Sequence, residues 1–65
     1  MGFFISDKSR VAYETSEYGM HKYNLEEDEF NIPMSLSEID ALEWPVRRVS
    51  ESEAIAFSLS NSLES

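Results

Sequence analysis

Four consecutive carboxylates at positions 26–29 are the densest group of chemically active side chains in the sequence, and cation binding is the first chemistry that they suggest. A calcium loop of the EF-hand type needs oxygen ligands at alternating positions and a central glycine for its sharp turn. The run is contiguous and contains no glycine, so it does not match that pattern. Zinc is disfavoured as well, because His21 is the only histidine and the chain has no cysteine. The sequence therefore predicts no metal site and no cofactor.

The sequence also lacks a recognisable catalytic group. His21 lies in a segment with strand-like alternation, and no serine belongs to a G-x-S-x-G nucleophile motif. Paired carboxylates that work as acid and base need a pocket that separates their pKa values, and a chain of 65 residues has little room for one. We therefore expect a protein that is not an enzyme.

Size and composition predict one small domain over residues 1–65. The hydrophobic fraction of 42% and the eight aromatic residues are typical of a folded chain, although one so short buries only about 60% of its unfolded surface. The lack of cysteine excludes a disulfide framework, and the first residues do not resemble a signal peptide. No stretch approaches the roughly eighteen apolar residues of a membrane span. We expect a cytoplasmic protein with no membrane partner.

Charge is distributed unevenly along the chain. The formal net charge is −8, yet the three acids before position 26 are balanced by three bases. From Glu26 onward ten acids face only Arg47 and Arg48, so the whole excess lies in the second part. Such a charge repels nucleic acid and anionic membranes, and it favours a basic protein as partner. The two arginines are interpreted as local neutralisation of neighbouring acids in preference to a grip on phosphate.

The first part of the chain is predicted to form a three-stranded antiparallel sheet over about residues 2–25. Residues 3–5 have the composition of a short buried strand. Residues 10–15 and 20–25 alternate with the period of two that a half-buried strand requires. Turn-forming residues separate the three segments, so neighbouring strands are expected to pair as hairpins.

The second part is predicted to form two helices. In segments 35–38 and 50–53 a serine precedes a glutamate by three residues, which is the pattern of a capping box. Pro45 disfavours helical geometry at the residue before it. We therefore predict an α+β fold class with helices over about residues 36–43 and 51–62. The short extended segment between them, residues 46–49, is predicted to be either one short strand or an extended connector.

Spacing and size predict which of the largest apolar side chains lie in the core. Ile55, Leu59 and Leu63 recur every four residues and are predicted to pack the second helix against the sheet. Phe57 then lies on the far side of that stripe, either in a second layer or exposed. Trp44 is assigned to the core, because so small a domain needs its largest apolar side chain inside.

The remaining outer faces of the two predicted helices are dominated by acids. An acidic run alone is usually a solvated connection, here between the predicted sheet and the first predicted helix, and ordinary soluble surfaces mix both signs of charge. The additional acids on the helices favour a functional surface, in which carboxylates stand in for nucleic-acid phosphates and face a basic groove. The predicted partner-binding residues are Glu26, Glu27, Asp28, Glu29, Glu38, Asp40, Glu43, Glu51, Glu53 and Phe57.

In size, acidity and lack of catalytic motifs, the chain resembles phage-encoded inhibitors of host defence, such as DNA-mimicking anti-CRISPR and anti-restriction proteins and uracil-DNA glycosylase inhibitors. The resemblance is one of general character and assigns no role to any residue. It implies an inhibitor or decoy that binds a nucleic-acid-binding protein or complex in the host cytoplasm. The alternative is a non-catalytic interaction module, such as an antitoxin, an immunity protein or a small oligomeric subunit, that binds through an apolar face. Either would act as a monomer or a homodimer.

Overall fold

A five-stranded antiparallel sheet with one main helix forms the body of the protein. The structure, a computed structural model, describes the backbone of residues 1–64 and the side chains of residues 1–62. The strands are β1 (Gly2–Ser6), β2 (Val11–Ser16), β3 (Gly19–Asn24), β4 (Glu29–Pro33) and β5 (Val46–Val49), and the helices are α1 (Leu36–Asp40) and α2 (Glu51–Glu64). The strand order is β4-β3-β2-β1-β5, so β4 and β5 form the two edges. Within the described range, neither helix is long and apolar enough to cross a membrane.

The predicted combination of a three-stranded sheet and two helices is wrong, because the sheet has two further strands. The first three strands do form a meander close to the expected positions. The acidic run, however, is the turn of another hairpin: the chain returns as β4, with Phe30 opposite Tyr23. The segment between the predicted helices is β5, which pairs antiparallel with β1 and places Arg47 opposite Ile5.

The first helix begins where the sequence predicts but ends three residues early. The Ser35 side chain accepts a hydrogen bond from the backbone N–H of Glu38, and the Glu38 side chain accepts one from the N–H of Ser35, which completes the capping box. Beyond Asp40 the backbone forms hydrogen bonds with β1 and with the turn between β1 and β2. The Ser6 hydroxyl donates to the carbonyl of Glu43 at 2.7 Å, and the Glu43 N–H donates to the Ser9 hydroxyl at 2.9 Å. These tertiary hydrogen bonds prevent the residues after Asp40 from continuing the helix.

The main helix packs on one face of the sheet through a small residue. Ala54 is 0% exposed and lies in a core cluster with Ile5 and Ala12, which are opposite each other on β1 and β2. The predicted stripe is therefore wrong, since Leu59 is 43% exposed; the Leu63 side chain lies outside the described residues. Phe57 is half-buried against this cluster. The contact surface is centred on Ala54 because its methyl group lets the helix approach the sheet closely.

The opposite face of the sheet is covered by the segment that contains α1. Tyr13 is buried there and stacks on Phe4, with ring centroids 5.7 Å apart, and Met34 is buried as well. Burial raises the pKa of the Tyr13 hydroxyl above its usual value. Trp44 is 74% exposed, so its assignment to the core is wrong. The hydrogen bonds of Glu43 to the sheet fix the chain just before Trp44, and the indole projects into solvent.

The contact at Ala54 predicts a sharp difference between two alanines of α2. Ala54→Leu forces extra methylene groups into a closed contact and should reduce the free energy of unfolding by about 1–3 kcal/mol. Ala56 is exposed on the same helix, and Ala56→Leu should change it by no more than about 0.5 kcal/mol. Urea unfolding followed by circular dichroism measures both variants. Equal midpoints for the two variants would show that α2 does not pack through Ala54.

Candidate acidic binding groove

The main helix covers only part of the sheet and leaves a groove beside it. Helix α2 packs chiefly against β1 and β2. On the same face, the side chains of β3 and β4 form the floor of a groove of about 290 Å³. Its apolar lining is Tyr23, Phe30 and Ile55, and its acidic lining is Glu14, Asp28, Glu29 and Glu51.

The aromatic floor depends on an irregularity in strand pairing. Lys22 pairs with Ile32, but Tyr23 pairs with Phe30, so Asn31 is an extra residue in β4. This bulge brings the rings of Tyr23 and Phe30 together on the helix side, with centroids 5.1 Å apart. Phe30 also contacts Phe3 edge to face, again at 5.1 Å. The floor is thereby joined to the core beneath α2.

The four carboxylates come from separate parts of the fold, and Glu29 is the first residue of β4. Glu14 lies on β2 opposite Phe3, Asp28 lies in the turn before β4, and Glu51 begins α2. The Tyr23 hydroxyl donates a hydrogen bond to Oδ1 of Asp28. This hydrogen bond, with smaller contributions from burial and the negative charge of Asp28, raises the pKa of Tyr23. Because no described lining residue is basic, the groove has a negative electrostatic potential above an aromatic surface.

The four-acid run is divided by the geometry of its turn. The side-chain oxygen of Asn24 accepts hydrogen bonds from the backbone N–H groups of Glu26 and Glu27, at 3.0 and 3.3 Å. Asp28 has a left-handed backbone with φ of +56°, which turns the chain into β4. As a result Asp28 and Glu29 line the groove, whereas Glu26 and Glu27 do not, and all four residues are exposed.

The other predicted carboxylates do not join this group. Glu38 forms an ion pair with Lys22 on the opposite face of the sheet, and Asp40 and Glu43 are exposed on the α1 segment of that face. Glu53 accepts a hydrogen bond from the Ser50 hydroxyl and further raises the pKa of Arg47, whose main partner is Asp7 at 3.0 Å. The structure therefore places only Asp28, Glu29 and Glu51 of the ten predicted residues in the groove, and the binding role of each remains a prediction.

The remaining groove residues were not among the predicted ones. Glu14 belongs to the electrically balanced first part of the chain, so the charge excess of the second part does not indicate it. The alternation of β2 does indicate its position. Glu14 is two residues from Ala12 and therefore lies on the same face of the sheet. Tyr23 and Phe30 could not be placed together without the pairing of β4. In the described part of the chain, no group of three or more acidic or histidine side chains is arranged to hold a metal ion.

The ion pair at Glu38 predicts a specific loss of stability in acid. The hydrogen bond from Lys22, followed by that from the Ser35 backbone, holds the pKa of Glu38 below its usual value of 4.5. Because the folded pKa lies below the unfolded one, this stabilisation is complete above about pH 4.5 and is lost as the pH falls through the lowered value. Glu38→Gln should therefore flatten the dependence of the urea midpoint on pH below about 5.

The control for this experiment is Asp40→Asn, on the same helix. Asp40 forms no ion pair among the described residues, so this variant should keep the acid dependence of the unchanged protein. Other carboxyl groups with lowered pKa values, such as Asp7 beside Arg47, make the urea midpoint depend on pH to some extent in every variant. An unchanged slope in Glu38→Gln would contradict the assignment.

The chain matches no protein-family model, no curated protein and no solved structure.

Proposed function

We propose that the protein is a small acidic inhibitor or decoy that binds a basic nucleic-acid-binding protein and occupies its phosphate-binding surface. The observation that carries the proposal is the convergence of carboxylates from β2, the β3–β4 turn and α2 on one groove with no basic side chain in its described lining. Like charges held together destabilise a free protein, and they are stabilised when a cationic partner approaches.

The basic residues of the chain support the same proposal by their positions. Lys22 is paired with Glu38 on the other face of the sheet, and Arg47 is paired with Asp7. Arg48 donates a hydrogen bond to the carbonyl of Met1 at 3.2 Å. Lys22 and Arg47 therefore neutralise carboxylates outside the groove, and none of these three basic side chains belongs to its described lining.

Association driven by such a surface has a defined physical signature. Long-range attraction between an acidic protein and a basic groove accelerates encounter, and salt screens it over a Debye length of about 8 Å at physiological ionic strength. Nucleic acid competes for the same basic groove, because it binds through its phosphates. Sensitivity to salt and displacement by nucleic acid are therefore the two properties expected of the complex.

A second candidate function is supported by the exposed apolar residues. Trp44 is 74% exposed and Leu36 is 81% exposed, and both are outside the groove. Tryptophan is strongly enriched among residues that dominate binding energy at protein interfaces. An interaction module that binds through Trp44 would use its acids for solubility, and its complexes would change little with salt.

A capture experiment with three immobilised forms tests the proposal. The forms are the unchanged protein, Trp44→Ala, and a variant in which Glu26, Glu27, Asp28 and Glu29 are replaced by their amides. From a bacterial lysate at low salt, the unchanged protein should retain nucleic-acid-binding proteins that a short DNA duplex elutes. The affinity of a purified partner should fall about tenfold or more between 50 and 300 mM salt.

The variants distinguish the two candidate functions. The amide variant should bind the purified partner more weakly while its unfolding midpoint stays close to that of the unchanged protein, and Trp44→Ala should bind normally. Retained proteins that resist both salt and duplex DNA but are lost with Trp44→Ala would overturn the inhibitor proposal in favour of the interaction module.

A further inference from the structure

We propose that the groove docks an arginine-bearing segment of the partner protein, with a guanidinium group lying over Tyr23 and Phe30 between the carboxylates of Asp28 and Glu51. This inference rests on the proposed function and specifies where and through which chemistry the partner is held.

The first support is an apolar surface that the fold leaves uncovered. Ile55 lines the groove, and Leu59 lies one helical turn beyond it on the same side of α2. Because Ala54 makes the contact with the sheet, this side of the helix is turned toward the open face of β3 and β4. Leu59 is consequently exposed, and the floor aromatics Tyr23 and Phe30 are only half-buried.

The second support is the size of the groove. Small-molecule pockets span about 300–1,000 Å³, and a groove of about 290 Å³ is at the lower limit of that range. It lies on β3 and the edge strand β4, beside the first turns of α2. These dimensions suit one or two side chains of an extended or helical segment, and they do not suit a free metabolite.

Charge complementarity selects the occupant. An apolar segment seated in the groove would remove water from Glu14, Asp28 and Glu51 without supplying a partner for them, which is costly. A second copy of this chain carries the same charge of −8 and is repelled. A cationic segment compensates the carboxylates and covers the apolar floor.

Arginine fits this groove better than lysine. Its guanidinium group is planar, stacks on aromatic rings and donates paired hydrogen bonds to carboxylates, and it is less strongly hydrated than an ammonium group. The ring planes of Tyr23 and Phe30 are 52° apart, and the Tyr23 hydroxyl donates to the Asp28 carboxylate, so aromatic rings and a carboxylate adjoin in the groove. Lysine supplies the charge but neither the stacking nor the paired geometry.

The test is a nuclear magnetic resonance titration of the whole protein with three peptides of one design. Each is an alanine- and glutamine-based peptide of about twelve residues whose positions four apart carry arginine, lysine or uncharged citrulline. The arginine peptide should shift the ring signals of Tyr23 and Phe30 and the methyl signals of Ile55. It should bind about two- to fivefold tighter than the lysine peptide, and the citrulline peptide should not bind measurably.

Two charge-matched variants localise the site. Glu14→Gln, Asp28→Asn and Glu51→Gln together remove three charges from the groove and should weaken the arginine peptide about tenfold or more. Glu17→Gln, Asp40→Asn and Glu43→Gln together remove three charges outside the groove and should weaken it by less than about threefold, through the smaller net charge alone.

Each outcome bears on one of the two proposals. If both triple variants weaken the arginine peptide equally, or if the peptide shifts only signals on the α1 face, the groove is not the docking site. The protein would then remain an acidic inhibitor that binds elsewhere. Binding of the citrulline peptide, or groove signals that move on dilution without peptide, would also overturn the docking site, the latter in favour of a second copy as occupant. Normal arginine binding in the groove, combined with captured proteins that DNA does not displace, would retain the docking site and overturn the inhibitor function.

Discussion

The close contact of Ala54 with Ile5 and Ala12 determines how the rest of the molecule is arranged. A helix that meets the sheet through a methyl group approaches it closely, and it covers the two strands beneath it well. Among the described residues, no second helix of similar length lies on that face. The same contact that closes the core over β1 and β2 therefore leaves β3 and β4 open beside the helix, and the groove follows from it.

Local signals in the sequence were sufficient for the elements that depend on local chemistry. The strands of the first meander follow from alternation, and both helix starts follow from a serine and a glutamate three residues apart. Strand β4 could not be recognised in this way, and for residues 46–49 the sequence left a short strand and an extended connector open. Both strands are short and are identified only by their pairing. Strand β4 pairs with β3, with Phe30 opposite Tyr23, and residues 46–49 of β5 pair with β1.

Side-chain placement was harder to predict than the elements because spacing does not fix the rotation of a helix about its axis. Ile55 and Leu59 have the periodicity of a core stripe, yet a narrower surface around Ala54 makes the contact. Size alone predicts Trp44 in the core, whereas its side chain is exposed and the hydrogen bonds of Glu43 fix the chain just before it. For the groove, the sequence predicted Asp28, Glu29 and Glu51 as acids of interest, but the bulge at Asn31, which assembles the aromatic floor, has no local signature.

The β3–β4 turn is held by hydrogen bonds between residues that are close to one another along the chain. Asn24 holds the backbone of Glu26 and Glu27, Tyr23 holds Asp28, and the Asn31 side chain donates to Glu27 at 3.3 Å. Of these residues, only Tyr23 contributes a ring that touches Phe30 and through it the core. Substitutions of Glu26 and Glu27 therefore leave the contacts of the core unchanged, and the charge at the tip can be varied separately from the stability of the sheet.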